Sequence, residues 1–206
     1  PGALQALAAA IAPRSDGLGV WYLLGDETTE DEGPNMQQVP GTEQNAFLRL
    51  FGVMGRTYSL HTPLALATAL RRGLNAVDHP HQAGPFFLLL PLNTQPAELP
   101  QFNVAELPTG APPPLGPAAD GGSYAEAAEA LIAAERVVVR VGGGARGAGA
   151  ALGEFLELAD AVAITSPVAS GAIPYSHPRN MTVGGSKGAI SGNYAMDNAD
   201  LLVSIG

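Results

Sequence analysis

Short apolar runs alternate with longer segments of helical spacing along this chain. The runs cover residues 20–24, 85–91, 137–141, 161–165 and 201–205, and each is too short and too continuously apolar to be one face of a helix. They read as buried strands of parallel sheets, because a parallel strand is covered on both faces and loses the polar alternation of a half-exposed one. Between them, 3–12 is rich in alanine and leucine and predicts a helix ended by Asp16-Gly17. Thr62-Pro63 predicts a second start, with apolar spacing through Leu64, Leu66, Ala67, Leu70 and Leu74. Ser123-Tyr124-Ala125-Glu126 has the spacing of a capping box and predicts a helix to about Glu135. A further helical segment runs through Leu152, Phe155, Leu156 and Ala159. Strand and helix in alternation predict an α/β fold, with parallel sheets flanked by helices and right-handed crossovers in both halves.

Two stretches break the pattern. Residues 25–41 carry Asp26, Glu27, Glu30, Asp31 and Glu32 among glycines and Pro34, and predict a long loop at the carboxyl end of a strand. Ligand sites of open α/β sheets lie at such ends, although a solvated acidic loop explains the same composition. Residues 92–119 contain seven prolines and almost no periodicity, which predicts an extended linker between two domains.

Composition narrows the function. The 206 residues are 46% hydrophobic and 14% charged, values of a globular chain with a core. Ten basic against nineteen acidic side chains leave a net charge of -9, which argues against general attraction to nucleic acid or anionic membranes. With no cysteine, disulfides, thiolate metal sites and thiol nucleophiles are excluded. No apolar run reaches the roughly 18 residues of a membrane span, and no basic leader opens the chain, so a cytoplasmic location is expected.

Candidate chemistry concentrates in two glycine-rich turns. Arg136-Val-Val-Val-Arg-Val-Gly142-Gly143-Gly144-Ala-Arg-Gly147 passes from strand pattern to glycines to helical pattern, and Gly142, Gly144 and Gly147 satisfy G-x-G-x-x-G. That spacing allows a tight turn and close backbone approach to a phosphate at a helix N-terminus, yet any βα turn of a glycine-rich protein can produce it. No Asp or Glu stands after the next strand, near Thr165-Ser166, to bind a ribose as the dinucleotide fingerprint requires. The second turn, Gly184-Gly185-Ser186-Lys187-Gly188, precedes another helical segment and holds the chain's only lysine. His79 and His81 are spaced to share a metal, but only Asp78 accompanies them, and an exposed loop is the simpler reading. No nucleophile elbow, zinc-protease motif, Walker lysine motif or calcium loop is present.

From Leu152 onward the residues carry a resemblance. Thr165-Ser166, Gly171-Ala172-Ile173-Pro174, His177-Pro178, Val183-Gly184-Gly185, Gly188, Asn193-Tyr194-Ala195 and Ala199-Asp200-Leu201-Leu202 resemble, in order and spacing, the central domain of the thiamine diphosphate-dependent acetolactate synthase and 2-keto acid decarboxylase family. Upstream, Pro1-Gly2-Ala3 resembles the end of that family's G-P-G-A turn, and Met36-Gln37-Gln38-Val39-Pro40 its F-Q-E-x-P segment. Gly84-Pro85 through Gln95 resembles G-P-V-x-L-x-x-P-x-D-x-Q.

The resemblance implies that residues 1–98 are the C-terminal part of a pyrimidine-binding domain, 99–120 a linker, and 121–206 the N-terminal part of a Rossmann-like central domain. It implies thiamine diphosphate and Mg²⁺ as cofactors, a 2-keto acid or related carbonyl as substrate, and a homodimer or homotetramer. The family's ylid-forming glutamate and its Gly-Asp-Gly to Asn magnesium motif find no match in these residues, so the chain alone is expected to be inactive, with no catalytic or metal residue assigned. Pro1, Gly2 and Gln37 match cofactor-pocket positions. In flavin-containing members the central domain binds FAD through glycines matching Gly142, Gly143, Gly144, Gly185 and Gly188, with Lys187 inside the second turn. Arg56 matches a lysine of those members, while Ser186-Lys187 and Leu92-Asn93 depart from their G-M-H-G and P-K-D patterns. FAD therefore stays open. So do two other classes, an NAD(P)-linked oxidoreductase domain and a non-catalytic scaffold derived from the enzyme fold.

Overall fold

The computed structural model describes residues 2–30, 45–99, 102–110, 112 and 121–206. The chain divides into two compact units, Pro1–Leu115 and Gly116–Gly206.

The first unit holds helices α1 (Gly2–Ala8) and α2 (Ile11–Asp16), strand β1 (Val20–Asp26), α3 (Ala46–Gly52), β2 (Arg56–Ser59), α4 (Leu66–Val77) and β3 (Pro85–Pro91). Its sheet is parallel, in the order β1-β3-β2. β3 is central although it carries a proline at each end. Those are the positions where a missing N–H disturbs the ladder least, and Val20 pairs with Pro85 and Asp26 with Pro91. The two-residue period of β3 divides the core. Phe86 and Leu88 pack with Leu60, Ala69 and Ala76 on one face, while Phe87 and Leu89 pack with Ala10 and Phe51 on the other. On that second face, Phe87 stacks between Tyr22 at 4.7 Å and Phe51 at 5.1 Å. On the first, Trp21 meets the edge of Phe86 at 5.2 Å and covers Gly73, where a β-carbon would lie 1.8 Å from the indole.

The helix predicted over 3–12 is two helices. Pro13 is the cause: in a continuous helix its ring would meet the carbonyl of Ala9 and its missing N–H would leave that carbonyl unpaired. The chain instead tightens, with Ala9 and Ala10 donating to Ala6 and Leu7 at 3.1 Å, and α2 restarts. Gly17, at φ +62°, closes α2 by donating to Pro13, as Asp16-Gly17 predicts. Pro63 opens a 3₁₀ turn, Pro63–Ala65, before α4, and the Thr62 side chain makes no cap hydrogen bond.

The second unit comprises α5 (Gly122–Ala133), β4 (Val137–Val141), α6 (Gly149–Leu158), β5 (Val162–Thr165), β6 (Asn180–Val183), α7 (Ile190–Asn198) and β7 (Leu201–Ile205). All four strands are parallel, in the order β6-β5-β4-β7, the half-sheet of a doubly wound fold. Val137, Val139 and Val141 face Leu152, Leu156 and Ile173, and Val138 faces Ile164 and Ala195 on the other side. The capping box does not form. α5 begins at Gly122 with Gly121 as its cap residue, and Ser123 already lies inside the helix, where its side chain no longer occupies the capping position. β6 is not predicted by the pattern of apolar residues. It is short, half-buried and irregular, with a register shift opposite Ala163 and Thr165 and Thr182 at φ +66°, an unusual conformation for a β-branched residue. Arg179, just before β6, ties this edge to α6 through Asp160 at 2.8 Å and Glu157 at 3.0 Å, and those two hydrogen bonds raise the guanidinium pKa above its ordinary value.

Candidate functional site

Because the strands of each unit are parallel, each sheet gathers its outgoing loops along one carboxyl edge. In the second unit that edge carries Gly142 after β4, Ser166 after β5, Gly184–188 after β6 and Gly206 after β7. Both glycine turns singled out from the sequence thus lie on one edge. They differ in what their glycines face.

The first turn is filled by the protein itself. Gly142 donates to Ile205 at 2.7 Å, and a β-carbon on Gly142 would lie 2.3 Å from the Gly206 carbonyl oxygen; on Gly144 it would lie 3.2 Å from the Gly206 backbone. The close approach allowed by these two glycines is therefore to the end of β7. Gly143 faces Val168 and Arg146 at 3.2 and 3.3 Å, whereas Gly147 faces open space. The turn continues as a 3₁₀ segment, Gly143–Ala145, and α6 starts only at Gly149, so the strand does not discharge directly into a helix N-terminus. Beside it, the Ser166 hydroxyl is buried without a hydrogen-bond partner.

The second turn is organised by side chains that the sequence reading did not select. Gly185, at φ +124°, donates its N–H to Asn193 Oδ1 at 2.8 Å. A β-carbon on Gly188 would lie 2.6 Å from the Val183 carbonyl oxygen and 2.8 Å from Asn193 Oδ1. Asn193 therefore holds the turn from the first turn of α7, a role signalled only by its place in the Asn-Tyr-Ala motif. Asn180 anchors the approach, donating to the Ile173 and Pro174 carbonyls and accepting from Thr182 at 2.8 Å. Lys187 is exposed at the tip.

The carboxyl edge of the first unit bounds a cavity of about 420 Å³, lined on its apolar side by Leu24, Phe47, Phe51 and Leu89 and on its polar side by Asp26, Glu27 and Gln95. Gly2 lines the same cavity. Pro1 and Gln37 lie outside the described residues. Gln95 is fixed by donation to Leu90 at 2.7 Å, and Asn93 bridges the loops after β3 and β1 by accepting from Thr29 N–H at 3.0 Å and donating to Thr29 Oγ1 at 2.9 Å. Arg56 stands at the opposite edge, at the start of β2. His79 Nδ1 accepts from the His81 and Gln82 amides and so closes its own turn. Among the described residues no three His, Cys, Asp or Glu side chains are grouped to hold a metal, and no helix is long and apolar enough to cross a membrane.

Comparison with known proteins bears on this arrangement. Residues 124–206 match the family model described as thiamine pyrophosphate enzyme, central domain. The chain is 32% identical over 123 residues to the acetolactate synthase isozyme 1 large subunit of Escherichia coli strain K12, which covers 60% of the chain and 21% of that protein. It is 40% identical over 73 residues to a probable chloroplastic acetolactate synthase 2 of Oryza sativa, covering 35% of the chain and 11% of the relative. It is 39% identical over 83 residues to an acetolactate synthase of Mycobacterium bovis, covering 39% and 13%. The chain thus spans about a fifth or less of the length of these relatives. The matches favour the resemblance over the oxidoreductase and scaffold alternatives.

Proposed function

We propose that this chain, which belongs to the thiamine pyrophosphate enzymes, forms part of an enzyme that cleaves or makes carbon–carbon bonds at 2-keto acids or related carbonyls. The observation that carries the proposal is the match of residues 124–206 to the central domain of that family, on a sheet whose order is that of a doubly wound half. Thiamine diphosphate, when bound, supplies the electron sink for such chemistry.

The residues present suit one part of the cofactor. The cavity containing Gly2 has the apolar walls that a flat heterocycle needs and, in Asp26, Glu27 and Gln95, groups for its polar rim. Leu24, Phe47 and Phe51 would exclude water from that ring, and Gln95, held by Leu90, would present a fixed amide. Pro1 and Gln37 belong to the same proposed set through the resemblance. The described residues do not make a magnesium site.

For FAD, Gly142 and Gly144 already use their open side against Gly206, and Gly188 uses its own against the Val183 carbonyl and Asn193, so we place any flavin contact at Gly185, which faces open space, and at Lys187. Gly143 borders the same edge. In this reading residues 1–98 are the pyrimidine-side domain, 99–120 the linker and 121–206 the central domain of a cytoplasmic homodimer or homotetramer. α5, which has no buried residue and exposes 85% of Ile132, supports the need for a covering partner.

The test is the reading frame that encodes this chain. Its complete product is expected to carry a glutamate before Pro1 and a Gly-Asp-Gly to Asn motif after Gly206, and to consume pyruvate or another 2-keto acid with thiamine diphosphate and Mg²⁺. A product without either motif, inactive across a 2-keto acid panel, would overturn the proposal. Saturable NAD(H) binding in its place would favour the oxidoreductase reading.

A further inference from the structure

The amino edge of the first unit's sheet, opposite the Gly2 cavity, carries a second concentration of chemistry. β2 starts there at Arg56 and β3 at Pro85. Two cavities adjoin through Gly55 and Arg56: one of about 300 Å³ that Arg14 also lines, and one of about 510 Å³ that Arg72 also lines. Three of the chain's ten basic side chains thus meet at one place in a protein of net charge -9. Neither lining contains an Asp or Glu; the other polar groups are Gln82 in the smaller cavity and Thr57 and Asn75 in the larger.

Two features separate this cluster from scattered surface charge. Among the described residues, none of the three arginines is in an ion pair, although acidic side chains outnumber basic ones almost two to one in the chain. Two of the three are also oriented. The Arg72 guanidinium lies 5.1 Å from the centroid of the Tyr58 ring, and Arg56 Nη1 donates to the Asn75 carbonyl at 3.4 Å. A guanidinium held on a ring face keeps its N–H fork for a further acceptor, and less side-chain entropy is lost when one arrives.

We infer that these adjoining cavities bind an anionic small molecule with at least two phosphate-type groups, Arg56 bridging them and Arg14 and Arg72 each taking one end. The size of the pair and the amide and hydroxyl donors beside the arginines suit a compact polyanion. The paired guanidinium forks match phosphate oxygens in number and geometry.

Calorimetric titration of the whole chain with inorganic phosphate and with pyrophosphate tests the inference. Pyrophosphate is expected to bind more tightly than phosphate. Arg56→Gln is expected to weaken it by about tenfold or more, and Arg72→Gln by a comparable factor, since each removes a charge-assisted contact. Arg140→Gln, at the one exposed side chain of the otherwise buried β4, is expected to leave affinity within about twofold, since Arg140 lines neither cavity. In the unmodified protein, pyrophosphate should also slow the reaction of Arg56 and Arg72 with phenylglyoxal, a readout that needs no variant to fold. Absence of binding at millimolar pyrophosphate, equal losses in Arg56→Gln and Arg140→Gln, or no protection of Arg56 would each overturn the inference. So would loss of binding in Lys187→Gln alone, which would move the anion to the second glycine turn.

Discussion

Asp200 holds Arg136 by its backbone: the carboxylate accepts the Arg136 N–H at 2.7 Å through one oxygen and the Glu135 N–H at 2.8 Å through the other. The last residues before β4 are thereby clamped to the residue just before β7, its neighbour in the sheet. Arg136 closes the link from its own side by donating Nε to the Asn198 carbonyl at 2.7 Å. The Glu135 amide and then the Arg136 amide hold the Asp200 carboxyl below its ordinary pKa.

The sign of the pH dependence follows. A carboxyl with a lowered native pKa stabilises the fold fully above its unfolded value, about 3.9, and that contribution is lost as pH falls through the native value. Asp200→Ala is expected to lower the thermal midpoint near pH 7, and the gap from the parent protein should narrow below about pH 4 as protonation removes the same bonds. Scanning calorimetry across pH measures this, and a gap that stays constant would contradict it.

The glycines of the first turn should separate by substitution. Gly142→Ala places a methyl group 2.3 Å from a backbone oxygen of Gly206, a neighbour that cannot swing away, and should cost about 1–3 kcal/mol. Gly147→Ala meets nothing within 4 Å and should lie within about 1 kcal/mol of neutral, on the stabilising side if anything, by restricting the unfolded chain. Urea denaturation of both variants decides. A phosphate fingerprint without the packing role would instead leave both near neutral in the ligand-free protein.

Asn193→Ala removes the acceptor of the Gly185 N–H and should destabilise the second unit by about 1 kcal/mol. Amide hydrogen exchange at Gly185 should accelerate more than at Val139, which lies in the sheet interior.

Phe87 is fully buried between two aromatic rings, and Phe87→Ala should cost about 3–5 kcal/mol. Val53→Ala, at a side chain 73% exposed, should change stability by no more than about 0.5 kcal/mol. The midpoints of denaturant unfolding compare the two directly.

The strands were legible because buried parallel strands have a simple signature. Pro85–Pro91 and Leu201–Ile205 fall where the apolar runs predict them, and Val162–Thr165 differs by one residue. β6 was hidden because Asn180 and Thr182 supply hydrogen bonds instead of hydrophobicity, and its irregular register removes periodicity. Pro13 and Ser123 mark the opposite failure, where local motifs suggested one long helix and a capping box and the chain adopted a tighter turn and a later helical position. For the candidate site, the glycine turns could be placed from spacing alone. What each glycine faces depends on Gly206 and Asn193, contacts between residues far apart in the sequence or across a turn, and no local pattern encodes them.

Trp21 is the single tryptophan of the chain, and it is wedged between the edge of Phe86 and the bare backbone of Gly73. Indole emission therefore reports on the first unit alone, while far-ultraviolet dichroism sums over both. Coincident melting by the two signals would mean that the halves unfold as one cooperative body; an early loss of either would give each half its own stability, read from an unlabelled protein.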